Sequence, residues 1–399
     1  MMRDPGLKED SKNLSLVGAS ACVAALLTAG LLIASANDRH VVRVHVVENA
    51  PEWNTHPTTA PLSGANRLYG TVHTVDGGEY TGYIRWDRNE ASWTDLLDAT
   101  KPTDRGGSSI SGIRFGHIDQ IEILSRSAAR FTLKSGEIVD LTARATDLGS
   151  GLRSLVVDSV ASRAEFQWED LDRVDFMPPP PSARPDQSRL FGTLTTRTGM
   201  EFTGHVTWDV DEVYTSDLLD GDLDGQRLEI AFGTIHSIER FSPRAALVVL
   251  NSGQELILDG TKDVDRSIGG ISVSDARLGQ IKLDWAEFDR VVFHGTDDEV
   301  SFVQFDGGTP LRGTVVTSQG EEISGEIRWD MDQAFTWEML TGVLRNVELK
   351  VEFGQIERIR KSGRGSEVTL RDGRVFQLSG TNDVGRGNRG IEIRDGGRT

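Results

Sequence analysis

The 399-residue chain has a single cysteine, Cys22, and it lies inside the only long apolar run. The remainder therefore excludes a disulfide framework, a thiol nucleophile and a cysteine-ligated metal, so stability must come from packing and strand pairing. Tyrosine (4) and proline (12) are scarce. After residue 37 no convincing stretch carries the 3.6-residue apolar period of a helix. The nearest approaches, "SWTDLLDA" at 92–99 and "TSDLLDG" at 215–221, suffice for a short turn. Positive charge is also in deficit, with 43 Lys and Arg against 61 Asp and Glu and a net charge of −18. So acidic a chain repels nucleic-acid phosphate and anionic lipid headgroups, which argues against both as partners. No H-E-x-x-H, G-x-S-x-G, P-loop or dinucleotide fingerprint occurs. The eight histidines are scattered, without metal-ligand spacing on one element. A carboxylate pair of the glycosidase kind would be invisible at this level.

Glycine, by contrast, is plentiful: 43 residues lie between short runs rich in Val, Ile, Leu and Thr. That is the composition of a turn-rich β protein. Hydrophobic content of 37% and charged content of 26% place it among globular chains.

The apolar run "LSLVGASACVAALLTAGLLIASA" spans residues 14–36 and carries no charge. Ala34-Ser35-Ala36 fits a signal-peptidase site. As a helix, Leu14 to Ala34 would be roughly 31 Å long, enough to cross a bilayer. A cleaved signal peptide and an uncleaved membrane anchor are the competing readings. A lipoprotein site at Cys22 is weaker, because Ala19 stands where a large aliphatic residue is wanted. Each reading puts residues 37–399 outside the cytoplasm, periplasmic or secreted after cleavage, or anchored to an inner membrane by residues 14–36.

Three similar stretches follow. "GTVHTVDGGEYTGYIRWD" (70–87), "GTLTTRTGMEFTGHVTWD" (192–209) and "GTVVTSQGEEISGEIRWD" (313–330) place Trp86, Trp208 and Trp329 at spacings of 122 and 121 residues. Downstream of each come "IRFGHIDQIEI", "IAFGTIHSIER" and "VEFGQIERIR", then hairpin patterns about Gly136, Gly253 and Gly373. The first two close with "FQWEDLDRVDF" (166–176) and "LDWAEFDRVVF" (283–293), whereas the third shows no such closing strands. Apolar alternation around each glycine turn predicts hairpins with one buried face. The expected organisation is a signal or anchor (1–36), an N-terminal strand and linker (37–66), and repeats at 67–177, 189–295 and 310–399. A proline-rich linker (178–188) and a second linker (296–309) join the repeats. "DRHVVRVHVVE" (38–48) alternates and resembles "FDRVVFH", so it is a candidate for the strand that the third repeat lacks. A free edge strand or linker would have a similar sequence.

The first half of each repeat, as in "GTLTTRTGMEFTGHVTWDVDE" followed by "IAFGTIHSIE", resembles the Sm-like small β-barrel pattern. That pattern has a bent hairpin with Gly at its turn, an Asp after the second long strand, and a late strand–turn–strand. The resemblance covers roughly 55 residues and rests on spacing. It implies an SH3-like barrel only. With the self-similarity and the apolar run at 14–36, the expected fold is an all-β chain of three tandem repeats of about 120 residues, each built from two SH3/Sm-like barrel units, after one hydrophobic N-terminal helix. A closed propeller-like ring is the alternative architecture. The RNA binding of Sm-like proteins does not carry over, because the corresponding loops, "WDVDE" and "LLDGDLDG", are acidic.

Two sets of residues are candidates for a site. Trp86, Trp208 and Trp329 could form a ligand surface by stacking on a sugar or peptide, with Asp87, Asp209 and Asp330 accepting hydrogen bonds. Their repetition favours an architectural reading, Trp closing the core and Asp capping the turn. Trp93 and Trp337, in the following loop, are the better surface candidates. Asp220, Asp222, Asp224 and Gly225 spell the D-x-D-x-D-G start of a calcium loop, with Glu229 two residues short of the usual bidentate position. Otherwise that stretch is a solvated acidic turn. Calcium is thus the one cofactor the sequence raises, and no catalytic residue is nominated. The leading expectation is a non-enzymatic extracytoplasmic binding or scaffold protein that presents repeated surfaces to an envelope protein or glycan. A calcium- or carbohydrate-binding module and a hydrolase with an unrecognised carboxylate pair are the alternatives.

Overall fold

The computed structural model describes residues 64–102, 108–143, 147–159, 162–296 and 300–394. The expected export segment and the 38–48 strand lie outside these. The alternating apolar patterns fold into antiparallel strands, and the chain is all-β. Among the described residues no helix is long and apolar enough to cross a membrane.

The first sheet holds β1 (Tyr69–Thr74), β2 (Glu79–Trp86), β3 (Leu96–Pro102), β4 (Ser108–Arg114), β5 (Ile118–Ser125), β6 (Ala128–Leu133), β7 (Ile138–Thr142), β8 (Leu155–Asp158), β9 (Arg163–Phe166) and β10 (Leu171–Phe176). Its order is β4-β3-β7-β6-β5-β10-β1-β2-β8-β9. The next stretch supplies β11 (Phe191–Thr196), β12 (Glu201–Trp208), β13 (Leu218–Leu223), β14 (Gln226–Ala231), β15 (Ile235–Ser242), β16 (Ala245–Leu250), β17 (Glu255–Asp259), β18 (Ile271–Asp275), β19 (Gly279–Leu283) and β20 (Phe288–Phe293). They pair in the same order, β14-β13-β17-β16-β15-β20-β11-β12-β18-β19. That sheet continues into the last stretch, made of β21 (Arg312–Val316), β22 (Glu322–Arg328), β23 (Met339–Leu344), β24 (Val347–Glu352), β25 (Ile356–Ser362), β26 (Gly365–Leu370), β27 (Val375–Leu378) and β28 (Glu392–Arg394). β19 pairs with β24, Gly279 opposite Val351, so β24 and β23 extend the second sheet to twelve strands. β21-β22-β28 and β25-β26-β27 form two small sheets.

The sheets are open, and strands from the two halves of each expected repeat interleave within one sheet: β2 pairs with β8 and β5 with β10. The expectation of two separate barrels per repeat is corrected accordingly. The hairpin signals set local pairing, but non-local partners decide which strands share a sheet. The β3–β4 and β13–β14 hairpins hang from their sheets by one paired residue each, Thr100 to Thr142 and Asp222 to Asp259.

Two apolar cores result. One gathers Trp86, Trp93, Phe115, Phe131 and Trp168, and the other Trp208, Phe232, Trp285, Phe288 and Leu349. Ionic contacts between stretches accompany them. The Arg189 guanidinium, fully buried, bonds Asp95 at 3.2 Å, and the Ser274 hydroxyl donates to the same carboxylate at 2.9 Å. Arg114 donates to the Asp275 and Ala276 carbonyls at 2.8 Å and pairs with Glu352 at 3.1 Å.

Candidate functional site

The recurring Trp-Asp pairs act as internal joints. Trp86, Trp208 and Trp329 end their strands and donate from Nε1 to the carbonyls of Asp147, Asp263 and Asp383 at 2.7, 2.9 and 2.8 Å. The side chains of those aspartates accept from the amides of Asp98, Asp220 and Thr341 at 2.7, 2.8 and 2.7 Å. Asp87, Asp209 and Asp330 turn the chain with φ of 43°, 43° and 48°, a left-handed conformation Asp tolerates. Each is buried and matched by one cation: Arg153 at 3.1 Å, Lys262, and Arg389 at 3.0 Å.

Exposure separates the tryptophans. Trp86 and Trp208 are wholly buried and Trp329 partly buried. Trp93 and Trp337, expected at the surface, are 0% and 1% exposed, a correction to that expectation. Trp93 packs against Phe302 at 4.6 Å between ring centroids and Trp337 against Phe335 at 6.3 Å, because the loop folds back over the core. A ligand cannot stack on rings that are already covered.

The residues of the calcium expectation lie on a hairpin. Asp220, Asp222, Asp224 and Glu229 lie on the β13–β14 hairpin, with Asp220 opposite Glu229. Asp224-Gly225 is its two-residue turn, both at positive φ (51° and 81°), as a type I′ Asp-Gly turn requires. Arg227 already binds Asp222 at 2.9 Å and lies 3.6 Å from Asp220. The acidic alternation is strand geometry, and these carboxylates do not converge on one point. Among the described residues the carboxylates that do converge are Asp209, Asp211 and Glu212, with ligand atoms within 4.8 Å. There Lys262 supplies the cation, and burial pushes Glu212 up to about 9, so it holds a proton instead.

A cleft of about 1060 Å³ is lined by residues of all three stretches. Seven carboxyl and four cationic side chains line it, with Ile271 and Val343 among its apolar walls and no aromatic ring. Glu90 and Gln333 enter it from equivalent turns, the backbone amides of Trp86 and Trp329 donating to their carbonyls at 2.8 and 2.7 Å. Glu90 Oε2 and Gln333 Oε1 are buried without a hydrogen bond. Burial, reinforced by Asp147 and Asp87, raises Glu90 well above the usual carboxylate range. Burial and then Asp98 push Asp147 up to about 7, and burial pushes Asp383 up to about 6. Across the cleft Lys350 Nζ holds Asp98 at 2.6 and 2.7 Å. Sequence inspection missed this site, because its residues sit in turns read as architecture and converge only through the sheet order. One signal was present: Glu90 and Glu212 have Gln333, the neutral isostere, at the third equivalent position.

Compared with known proteins, the chain matches no family model, and neither the curated proteins nor the solved structures give a significant match.

Proposed function

We propose that the chain is a non-enzymatic extracytoplasmic binding protein made of three copies of one β unit, and that it takes a hydrophilic ligand in the cleft. The single observation that carries this is convergence: carboxyl groups from the first and third stretches, with polar groups and Lys282 from the second, line one cavity, whereas the tryptophans expected to form repeated surfaces are covered or largely covered. A cavity this size suits a small or oligomeric ligand. Without an aromatic platform, the ligand is held by hydrogen bonds and charge, and the excess of carboxylates favours amines and hydroxyls over phosphates. The apolar run at 14–36 supports the export part of the reading.

The test is thermal stabilisation of the full chain by spermidine, an oligomer of glucosamine and a neutral oligosaccharide. Each is measured beside Ser272→Trp, which fills the cleft from its wall. Stabilisation of the wild type that disappears in the variant supports the reading. Equal responses of the two proteins, or none to any probe, count against it. A second reading, hydrolysis by a carboxylate pair, draws on Asp147, whose value near 7 suits a proton donor at neutral pH. It requires that Asp147→Asn abolish turnover of a bound oligosaccharide while leaving binding intact.

A further inference from the structure

In the first sheet β10 lies between β1 and β5, Val174 facing Val72 on one side and Ile121 on the other. In the second, β20 lies between β11 and β15, Val291 facing both Leu194 and Ile238. Among the described residues the third stretch has the two flanking strands without the one between. β21 pairs with β22 alone and β25 with β26 alone, so each ends a three-stranded sheet with an unpaired edge. The frame around the gap is kept: Trp329 meets Phe353 at 6.3 Å between ring centroids as Trp208 meets Phe232 at 6.4 Å, and Ile327 and Ile359 pack on one core. The apolar side chains behind the two edges are less covered. Leu194, Val206 and Ile238 are fully buried, but their equivalents Val315, Ile327 and Ile359 are only half-buried. In the second stretch Trp285 and Phe288 pack on Trp208 at 6.3 and 5.3 Å; Trp329 has neither neighbour among the described residues and is only partly buried. Charge alone keeps a bare edge in solution, but it does not account for apolar side chains left uncovered beneath one. Two edges with an apolar floor between them form a site for an added strand.

The edge of β25 specifies the kind of strand. The strands that fill this place in the other stretches, "LDRVDF" at 171–176 and "FDRVVF" at 288–293, turn their first, fourth and sixth residues toward the core. Their outward residues meet β5 and β15. Arg173 faces Glu122, and Arg290 faces Glu239 at 3.1 Å. Asp175 faces Gln120, which donates to it at 2.8 Å. In the third stretch Arg360 stands where Glu122 and Glu239 do, and Arg358 where Gln120 and Ser237 do, both exposed. Arg360 meets Glu367 at 2.8 Å, and Arg358 has no ion pair among the described residues. Residues 356–364 carry four cations and one carboxylate, whereas 118–126 carry one and two, and 235–243 one of each. In a chain of net charge −18 this edge is a positive stripe. We propose that the gap between β21 and β25 binds an extended segment of a partner polypeptide, antiparallel to both strands as β10 and β20 are to theirs. Its first, fourth and sixth residues are apolar and face the core, and its third and fifth are carboxylates that face Arg360 and Arg358. Backbone hydrogen bonds to the two edges supply affinity, and the two arginines select the partner by charge. The inference does not depend on the cleft being a binding site.

The test uses three synthetic peptides built on residues 285–294, the chain's own closing strand with its tryptophan. The first carries Arg290→Glu and Val292→Glu, the second has the unchanged sequence, and the third adds Val291→Asp to the first. Each is titrated into the full-length protein and followed by calorimetry and by amide hydrogen exchange. The first peptide should slow exchange in β21 and β25, leaving β1 and β11 unaffected, and should bind about tenfold more tightly than the second, since opposite charges replace like charges across the strands. The third should not bind. Arg358→Glu with Arg360→Glu in the protein changes two exposed side chains and should reverse the order of the first two peptides. No slowing in β21 and β25 with the first peptide, equal affinity for the first two, or a preference that survives the arginine reversal overturns the proposal. Protection of β21 and β25 that grows with protein concentration in the absence of peptide would assign the gap to a second copy of the chain, and overturns it equally.

Discussion

Glu90, Glu212 and Gln333 occupy one position in three turns, and their environments turn a sequence difference into a pH response. Burial raises both glutamates, and Glu212, pushed up to about 9, keeps a proton in the folded state that it loses in the unfolded chain at neutral pH. Above the unfolded value, folding therefore takes up protons, and stability falls as pH rises toward the folded value. Glu212→Gln should remove that dependence. Its melting temperature should exceed that of the wild type by a few degrees at pH 8 and match it near pH 4, as followed by thermal denaturation across pH. Glu352 behaves oppositely. Burial raises it, but Arg114 and His117 outweigh that and leave it lowered, so its contribution is lost as pH falls through its folded value. At Trp208, Ala should cost about 3–5 kcal/mol, since the ring is wholly buried and its N–H serves Asp263. Trp329→Ala should cost less, which denaturant titration would show. Burial of the Trp-Asp pairs was legible from their recurrence. Burial of Trp93 and Trp337 was not, because it depends on Phe302 and Phe335, neither of which any local pattern marks.

The hairpins were the most legible elements, because a glycine turn between alternating apolar residues carries its own register. The same rule accounts for the acidic pattern at 220–229: Asp at alternate positions is one face of a strand, and Asp-Gly is a hairpin turn. Added calcium should leave the melting temperature of the full chain unchanged to within a degree. Gly225→Val should destabilise it by about 1 kcal/mol or more, through the left-handed φ at that turn. The junction between the second and third stretches was not legible, because β19 and β24 are nearly 70 residues apart and nothing local pairs them. It depends on Gly279, at φ 146°, where a Cβ would come within 2.0 Å of the Lys350 carbonyl. Gly279→Ala should therefore open this seam. Hydrogen exchange should quicken in Val347–Glu352 while β1–β10 keep their protection.

At the scale of the molecule, the three stretches are tied by charges that the sequence offers without their partners. Asp95, Asp217 and Glu338 each cap their own turn and also take a cation from another stretch: Arg189 at 3.2 Å, Arg85 at 3.4 Å, and Lys101. Asp95→Ala would leave Arg189 buried and unpaired. It should cost about 3–5 kcal/mol, readable as a drop in the denaturation midpoint. The all-β class could be read from the sequence and the site could not. The class follows from local alternation, whereas the site exists only where distant turns meet. The central claim is that this meeting place binds the ligand. The direct measurement is native mass spectrometry of the full chain after exposure to the low-mass fraction of its own cell envelope, wild type beside Ser272→Trp. The account predicts a non-covalent hydrophilic adduct on the wild type and none on the variant. The same adduct on both, or none on either, would contradict it.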